Sequence, residues 1–368
     1  MTALYNLLNR IDTNRFEIDI FPILDDGSNK NRFFNCNVLE SNELLEDMLR
    51  RYKFSMNIHS LRAFIIKSLN RLTRKGFSSL VYRYVGKKLL RSAKYDAVVA
   101  WTECEPTTFV SHIPHSNKVA WVHCDYALGN HTEEENAAYK RLNRIICVSN
   151  ACKTVFLSFF PELEKRVVVL YNILDTNSII EKSKEPINDF HKREGCFTII
   201  SYGRIASSKR FPYIPGFAKI VRDAGIPFHW YILGPNQHPD ELERIQNNIV
   251  KYGVQDCVEY FGARVNPYPY LKKADFVVNT SKSEALPYSI FEPKVLGIPI
   301  INADIPPAHE ILENGKEGII VPFNEIPNAI ISFCKDASLR ERIREYNKHF
   351  VYDDQAAVRG FERLFEKE

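Results

Sequence analysis

The chain has 368 residues, of which 45% are hydrophobic and 26% charged, with a formal net charge of +4. That is globular composition, long enough for two domains. It holds no low-complexity tract, no sustained heptad and no apolar run near the roughly 18–20 residues of a membrane span, which excludes disordered, collagen-like, coiled-coil and membrane-spanning classes.

The opening MTALYNLLNRID reads as a helix, Thr2–Ile11, and is too polar for a signal peptide. A Rossmann-like domain ordinarily opens with a strand and a glycine turn. The expectation is therefore that a first strand is missing ahead of this helix. Short β-branched or aromatic runs at Phe16–Ile23, Asp96–Trp101, Lys118–His123, Arg144–Val148 and Arg166–Leu170 read as strands, with helical stretches such as Glu133–Leu142 and Asn150–Phe160 between several of them. Ser149 and Asn150 suit a helix cap, and Asn172 and Asp175 suit the entrance to an interdomain hinge. A polar stretch, 175–194, follows as the natural linker. Strand patterns then resume at Phe197–Tyr202, Phe228–Leu233, Val258–Phe261, Asp275–Asn279, Ile298–Asn302 and Gly318–Val321, with helices expected at Phe211–Asp223, Asp240–Tyr252, Tyr288–Leu296, Ala308–Glu313 and Asn328–Cys334. Asp336–Tyr346 and Gln355–Glu368 read as closing helices. Two alternating β/α series predict two Rossmann-like domains with parallel, helix-covered sheets.

Charge is unevenly placed. No acidic residue lies between Asp47 and Asp96, a stretch carrying thirteen lysines and arginines, which leaves −9 for the rest of the chain. In 50–94 these cations alternate with apolar residues, including Phe54, Met56, Leu61, Phe64, Ile65, Ile66, Leu69, Leu72, Phe77, Leu80, Val81 and Leu89. That composition predicts helices lying on an anionic membrane surface rather than a nucleic-acid partner; the alternative is a basic face that holds an anionic acceptor or balances the acidic remainder. The eight cysteines form no C-x-x-C pair or His/Cys cluster. Reduced cytoplasmic thiols are expected rather than disulfides or zinc.

Two segments carry chemistry. In SYGRIASSKRF (201–211) a strand ends at Gly203, and Arg204 and Lys209 follow before a helix, a placement that suits a diphosphate. In SKSEALPYSIFEPKVLGIPII (281–301), Glu284 and Glu292 are separated by seven residues, the first in a loop and the second one turn into a helix. Both then face the carboxyl edge of the sheet, where open α/β sheets bind ligands, beside the amide groups around Tyr288–Ile290. Carboxylates next to an anion site suit ribose and sugar hydroxyls. Taken singly, each segment also reads as solvated surface charge.

Together, in this order and spacing over about 197–340, the segments resemble the glycosyltransferase family 4 group of GT-B retaining glycosyltransferases. YILGPN (231–236), the run 258–281 and LGIPII (296–301) add to the likeness. The resemblance implies an α/β GT-B fold, two Rossmann-like domains facing across a cleft. Its domains would be 1–173 for the acceptor, with the basic helical segment 50–94, 174–350 for the nucleotide sugar, and 351–368 as a helix crossing back to the first domain, with Ala357, Phe361, Leu364 and Phe365 as its apolar face.

By the same resemblance, Arg204 and Lys209 clamp the diphosphate, Glu292 binds ribose and Glu284 binds donor-sugar hydroxyls. Gly203, Leu286, Pro287, Tyr288 and Ser289 lie close to sugar and phosphate, and Arg264 and Val265 near the base. His123 stands where relatives carry a histidine in the cleft; a lone histidine after a strand also suits a structural role. Ala285 replaces a frequent glycine, Pro293 is expected to kink the helix that carries Glu292, and the family's N-terminal glycine loop is absent. The implied activity is a retaining, metal-independent hexosyl transfer from a nucleotide sugar, a UDP sugar for preference, to a membrane-associated glycan or lipid-linked acceptor in surface-polysaccharide assembly. The enzyme would be cytoplasmic and peripheral on the inner face of the membrane. No cofactor and no metal are expected, since Asp25–Asp26 and Asp353–Asp354 read as turn and solvated acids. Competing readings are another GT-B enzyme, such as a nucleotide-sugar epimerase, and a non-catalytic nucleotide-sugar-binding scaffold.

Overall fold

A computed structural model describes residues 2–24, 33, 35–49, 58–73, 76–129 and 131–366. The chain divides into two compact units, Met1–Ile173 with Asp354–Glu368, and Leu174–Asp353. Among the described residues no helix is long and apolar enough to cross a membrane.

The first unit opens with helix Thr2–Leu8, which buries Leu7 and Leu8 and donates from Asn6 Nδ2 to the Ile173 carbonyl at 2.9 Å. The run 16–23 does not form the expected long strand. Only β1 (Asp19–Ile20) is strand, paired in parallel with β2 (Asn37–Val38) as a sheet of its own. The main sheet is parallel, in the order β3 (Val98–Ala100), β4 (Lys118–Val122), β5 (Arg144–Cys147), β6 (Val167–Val169). Val119, Ala120, Trp121 and Val122 of β4 are all buried, as the near-continuous apolar run of a strand covered on both faces requires. Ser149 caps helix Asn150–Phe159 by accepting from Cys152 N at 3.0 Å. The last helix, Asp354–Phe365, belongs to this unit; its buried Phe361 meets Trp121 at 6.1 Å and Phe16 at 5.8 Å between ring centroids.

The basic segment forms two helices, Ile58–Leu72 and Gly76–Ser92. Ala63, Ile66, Val81, Tyr82 and Val85 face inward. Gly86 is seated against Ile113, where a Cβ would come within 2.8 Å of Ile113 Cγ1. Residues 50–57, 74 and 75, with Arg50, Arg51, Lys53, Phe54, Met56, Arg74 and Lys75, lie outside the described residues, as do Asp25 and Asp26.

The second unit carries a six-stranded parallel sheet formed by β7 (Phe197–Tyr202), β8 (Phe228–Leu233), β9 (Val258–Gly262), β10 (Phe276–Asn279), β11 (Ile300–Ala303) and β12 (Ile319–Val321). Its spatial order is β12-β11-β10-β7-β8-β9. Strand order therefore reverses between β7 and β10, which pair through Ile199↔Phe276 and Ile200↔Val277. Such a reversal opens a crevice at the carboxyl ends of the two central strands. The core beneath is built of Ile199, Trp230, Ile232, Phe276, Val278, Ile301 and Phe333, nearly free of solvent. The stretch 175–194 is more than a linker. It contains helix Thr176–Lys182, capped by Asp175 and packed on helices Tyr268–Lys273 and Tyr288–Val295.

Candidate functional site

The crevice between β7 and β10 gathers most of the residues singled out from sequence. As β7 ends, Gly203 takes φ +140° and Gly234, at the end of β8, takes φ +153°. The two glycines are in contact: a Cβ on Gly234 would fall 1.7 Å from the Gly203 carbonyl oxygen. A side chain there would push the Gly203 loop out of place.

That loop is tied across the switch point to the loop after β10. Thr280 Oγ1 donates to the Lys209 carbonyl at 2.6 Å, and Lys282 N to the Ser208 carbonyl at 2.7 Å. Lys209 Nζ then pairs with the Glu284 carboxylate. Glu284 Oε1 also accepts from Ser281 Oγ at 2.8 Å, and Ser281 is itself set by its amide, which donates to Asn279 Oδ1 at 3.1 Å. Lys209 and Glu284 side chains keep 14% and 18% of their surface exposed, enough to be reached by a ligand and little enough to hold their geometry. Arg204, in the same loop, is exposed. Arg210 next to Lys209 adopts the left-handed conformation at φ 55° and lays its guanidinium 4.3 Å over the Phe323 ring.

Glu292 lies on the neighbouring helix Tyr288–Val295. Pro293 sits inside this helix, which runs on past it for two residues, so Glu292 keeps its place on the first turn and a half. Its Oε2 accepts from Tyr202 Oη at 2.7 Å and its Oε1 from Tyr268 Oη at 3.0 Å. Burial raises the Glu292 carboxyl above its ordinary range, against the pull of the two phenols and of Lys209. Burial and the adjacent carboxylate raise both phenols as well, so they stay protonated donors. Leu286 and Ala285 are buried ahead of the helix, and Ser289 Oγ is 3.3 Å from Asn279 Nδ2. The Tyr288–Ser289 end of the helix offers amide donors of the kind that bind anions.

Arg264 and Val265 stand apart from this cluster, beyond β9 and two strands from β7. Arg264 is engaged by Asp189 at 3.1 Å and lies 4.1 Å over the Phe261 ring, while Val265 is fully exposed.

His123 belongs to the first unit. It follows β4, with its ring 5.0 Å from that of Trp101. The chain here is fastened by Glu103, whose Oε1 accepts from the His123 and Cys124 amides, the latter at 2.9 Å. Nε2 of His123 is buried with no partner among the described residues. Burial holds the imidazole well below its ordinary value, so it is neutral at pH 7. Glu135 anchors the facing loop through the Cys104 amide at 3.0 Å, where Cys104 is held at φ 64°.

Sequence reasoning missed Tyr202, Tyr268, Ser281 and Glu103. Tyr202 adjoins the recognised Gly203, and Tyr268 sits inside a run already noted, but nothing local says that both phenols converge on one carboxylate. Among the described residues no group of three or more His, Cys, Asp or Glu is placed to hold a metal.

Residues 183–350 match the family model described as glycosyl transferases group 1. A glycosyltransferase from Rickettsia africae superposes with a TM-score of 0.76 at 14% identity, covering 99% of this chain and 93% of the other. HepE of Anabaena, solved in complex with UDP, gives 0.63 at 18% identity, covering 76% and 80%. The fold is GT-B. The lipopolysaccharide core biosynthesis glycosyltransferase LpsD of Rhizobium meliloti is 20% identical over 275 residues, 73% of this chain and 74% of that protein. Two further curated relatives, 25% and 26% identical, are spanned over only about two fifths of their length.

Proposed function

We propose that the chain is a retaining glycosyltransferase whose second unit binds a nucleotide sugar and whose first unit takes the acceptor. The observation that carries the reading is the joining of Lys209, Glu284 and Glu292 at the switch point of a parallel sheet. A cation, a shared helix terminus and two carboxylates in one crevice suit a diphosphate flanked by two sets of hydroxyls. In this reading Lys209, Arg204 and the amides of Tyr288 and Ser289 stabilise the negative charge that grows on the departing diphosphate. Glu284 takes donor-sugar hydroxyls and Glu292 the ribose. Gly203, Leu286 and Pro287 shape the sugar–phosphate seat, and the exposed Val265 edge beside Arg264 meets the base. His123, neutral and with a free acceptor or donor at Nε2, hydrogen-bonds a sugar hydroxyl.

The sugar leaves the diphosphate as the acceptor oxygen attacks the same face, and the released phosphate oxygen takes the acceptor's proton. No carboxylate nucleophile and no metal or cofactor are assigned. A UDP sugar is the favoured donor, supported by the likeness to a protein solved with UDP. A lipid-linked or glycan acceptor of surface polysaccharide is favoured by the likeness to a lipopolysaccharide core enzyme.

The same reading places the protein on the inner membrane surface through its two basic helices. Helix Ile58–Leu72 exposes Phe64, Ile65, Arg71 and Leu72 along one side, and helix Gly76–Ser92 exposes Leu80, Arg83, Tyr84, Lys87 and Arg91 at helical spacing. Aromatic and aliphatic residues flanked by cations suit a headgroup layer.

The test of activity is titration with UDP, GDP and ADP sugars, followed by mass analysis of products made on a lipid extract. We expect one donor to bind and to yield a glycosylated lipid plus free nucleotide. Lys209→Ala and Glu292→Ala should each weaken donor binding by one to two decades, equivalent to about 1.5–3 kcal/mol for a charge-assisted contact. Conversion of free donor without acceptor would favour an epimerase, donor binding without any turnover would favour a scaffold, and no donor binding would overturn the reading.

A further inference from the structure

Glu292 has its two oxygens occupied in a particular way. Tyr202, the last residue of β7, donates to Oε2, and Tyr268, the first residue of the helix after β9, donates to Oε1. The donors come from different elements, one to each oxygen, so the carboxylate is fixed in rotation as well as in position. A carboxylate has about four lone-pair sites. One phenol on each oxygen therefore leaves one site free on each, and the residue keeps part of its surface open.

Tyr268 is itself anchored. Its amide donates to Asn266 Oδ1 at 3.1 Å, and Asn266 Nδ2 reaches the Lys182 carbonyl at 2.8 Å and Glu185 at 2.7 Å. The chain of contacts runs from the 176–185 segment through Asn266 and Tyr268 to Glu292. Burial drives this carboxyl toward its neutral form, and the two phenol donors oppose that rise in part while fixing its orientation.

We propose that Tyr202 and Tyr268 are positioning residues that aim the two free lone pairs of Glu292 at the vicinal 2′- and 3′-hydroxyls of a nucleoside diphosphate. The proposal rests on the nucleotide-sugar reading of this crevice. The phenols set the direction of the carboxylate without touching the ribose, so their effect shows in selectivity for the diol rather than in affinity as such.

The experiment measures binding of UDP, GDP and ADP to the wild-type chain by calorimetry, then of the 2′,3′-dideoxy counterpart of whichever binds best. The wild type should prefer the ribonucleotide at least tenfold. Tyr268→Phe keeps the ring and removes one donor; it should cut that preference to threefold or less, while affinity for the dideoxy nucleotide changes less than threefold. Tyr202→Phe should act in the same direction, and Tyr268→Phe remains decisive if the Tyr202 variant fails to fold. Equal weakening of both nucleotides by Tyr268→Phe, or an unchanged preference, would overturn the aiming role and leave the nucleotide reading standing. Failure of the wild type to bind any of the three diphosphates would overturn that reading and this proposal with it.

Discussion

Membrane docking is open to a quantitative test on the two basic helices. Arg71, Arg83, Lys87, Lys88 and Arg91 are exposed, whereas Arg62 is engaged by Glu43 at 3.2 Å and contributes less. Each basic residue near an anionic leaflet is worth about 1 kcal/mol. Five make about 5 kcal/mol, or roughly three and a half decades in partitioning at about 1.4 kcal/mol per decade. Leu72 at 80% exposure, Phe64 at 63% and Leu80 at 62% supply an apolar share, each worth at most about 1.5–3 kcal/mol if fully buried. In flotation with liposomes, the chain should bind vesicles rich in anionic lipid, release as salt rises, and bind neutral vesicles weakly. Replacing the five cations by glutamine should abolish flotation at micromolar lipid without lowering Tm, since none of them packs inward. Binding indifferent to anionic lipid content and to salt, or unchanged in the five-fold variant, would refute the reasoning and leave the basic face as an acceptor seat.

Three further outcomes are expected. Because burial raises Glu292, donor affinity that needs its carboxylate should fall as pH drops through that raised value, earlier than for an ordinary glutamate. The same shift makes the folded state relatively less stable as pH climbs from the unfolded value toward the folded one, and Glu292→Gln should flatten both profiles; a binding profile identical in Glu292→Gln would refute this. Gly234→Ala should destabilise by about 1–3 kcal/mol, the range for overpacking, because its Cβ meets the Gly203 carbonyl. Gly225→Ala, at φ +75° with open space around it, should cost less; equal Tm values for the two would contradict the contact. Transfer should persist in chelator, since cationic side chains and a helix terminus are assigned the role of the divalent ion, and loss restored by magnesium or manganese would reverse that assignment.

The alternation of strands and helices was legible in the second unit because its strands are short, β-branched and buried on both faces, as in FHWYIL of β8, where every residue is buried. The same logic failed at 16–23. An apolar run predicts a strand only if a neighbour accepts its hydrogen bonds, and here only Asp19 and Ile20 find one, in β2. The stretch 175–194 looked like a linker because it is polar, yet Asp175 caps a helix in it and Asp189 holds Arg264 and Tyr270. Polar composition reports exposure, which a capping or bridging carboxylate shares with a true linker.

The candidate site divides in the same way. Spacing within one segment brings Glu284 and Glu292 to one strand end, and that much is local. The pairing of Lys209 with Glu284 spans seventy-five residues and depends on β7 and β10 being neighbours, a fact of strand order that no single motif encodes. The convergence of Tyr202 and Tyr268 on Glu292 depends on the same order, since one phenol comes from the central strand and the other from beyond the edge strand β9. Charge placement thus follows from motif, while charge aim follows from topology. Burial pushes this carboxyl up toward its neutral form, and the two tyrosines oppose that rise and fix the direction of its oxygens.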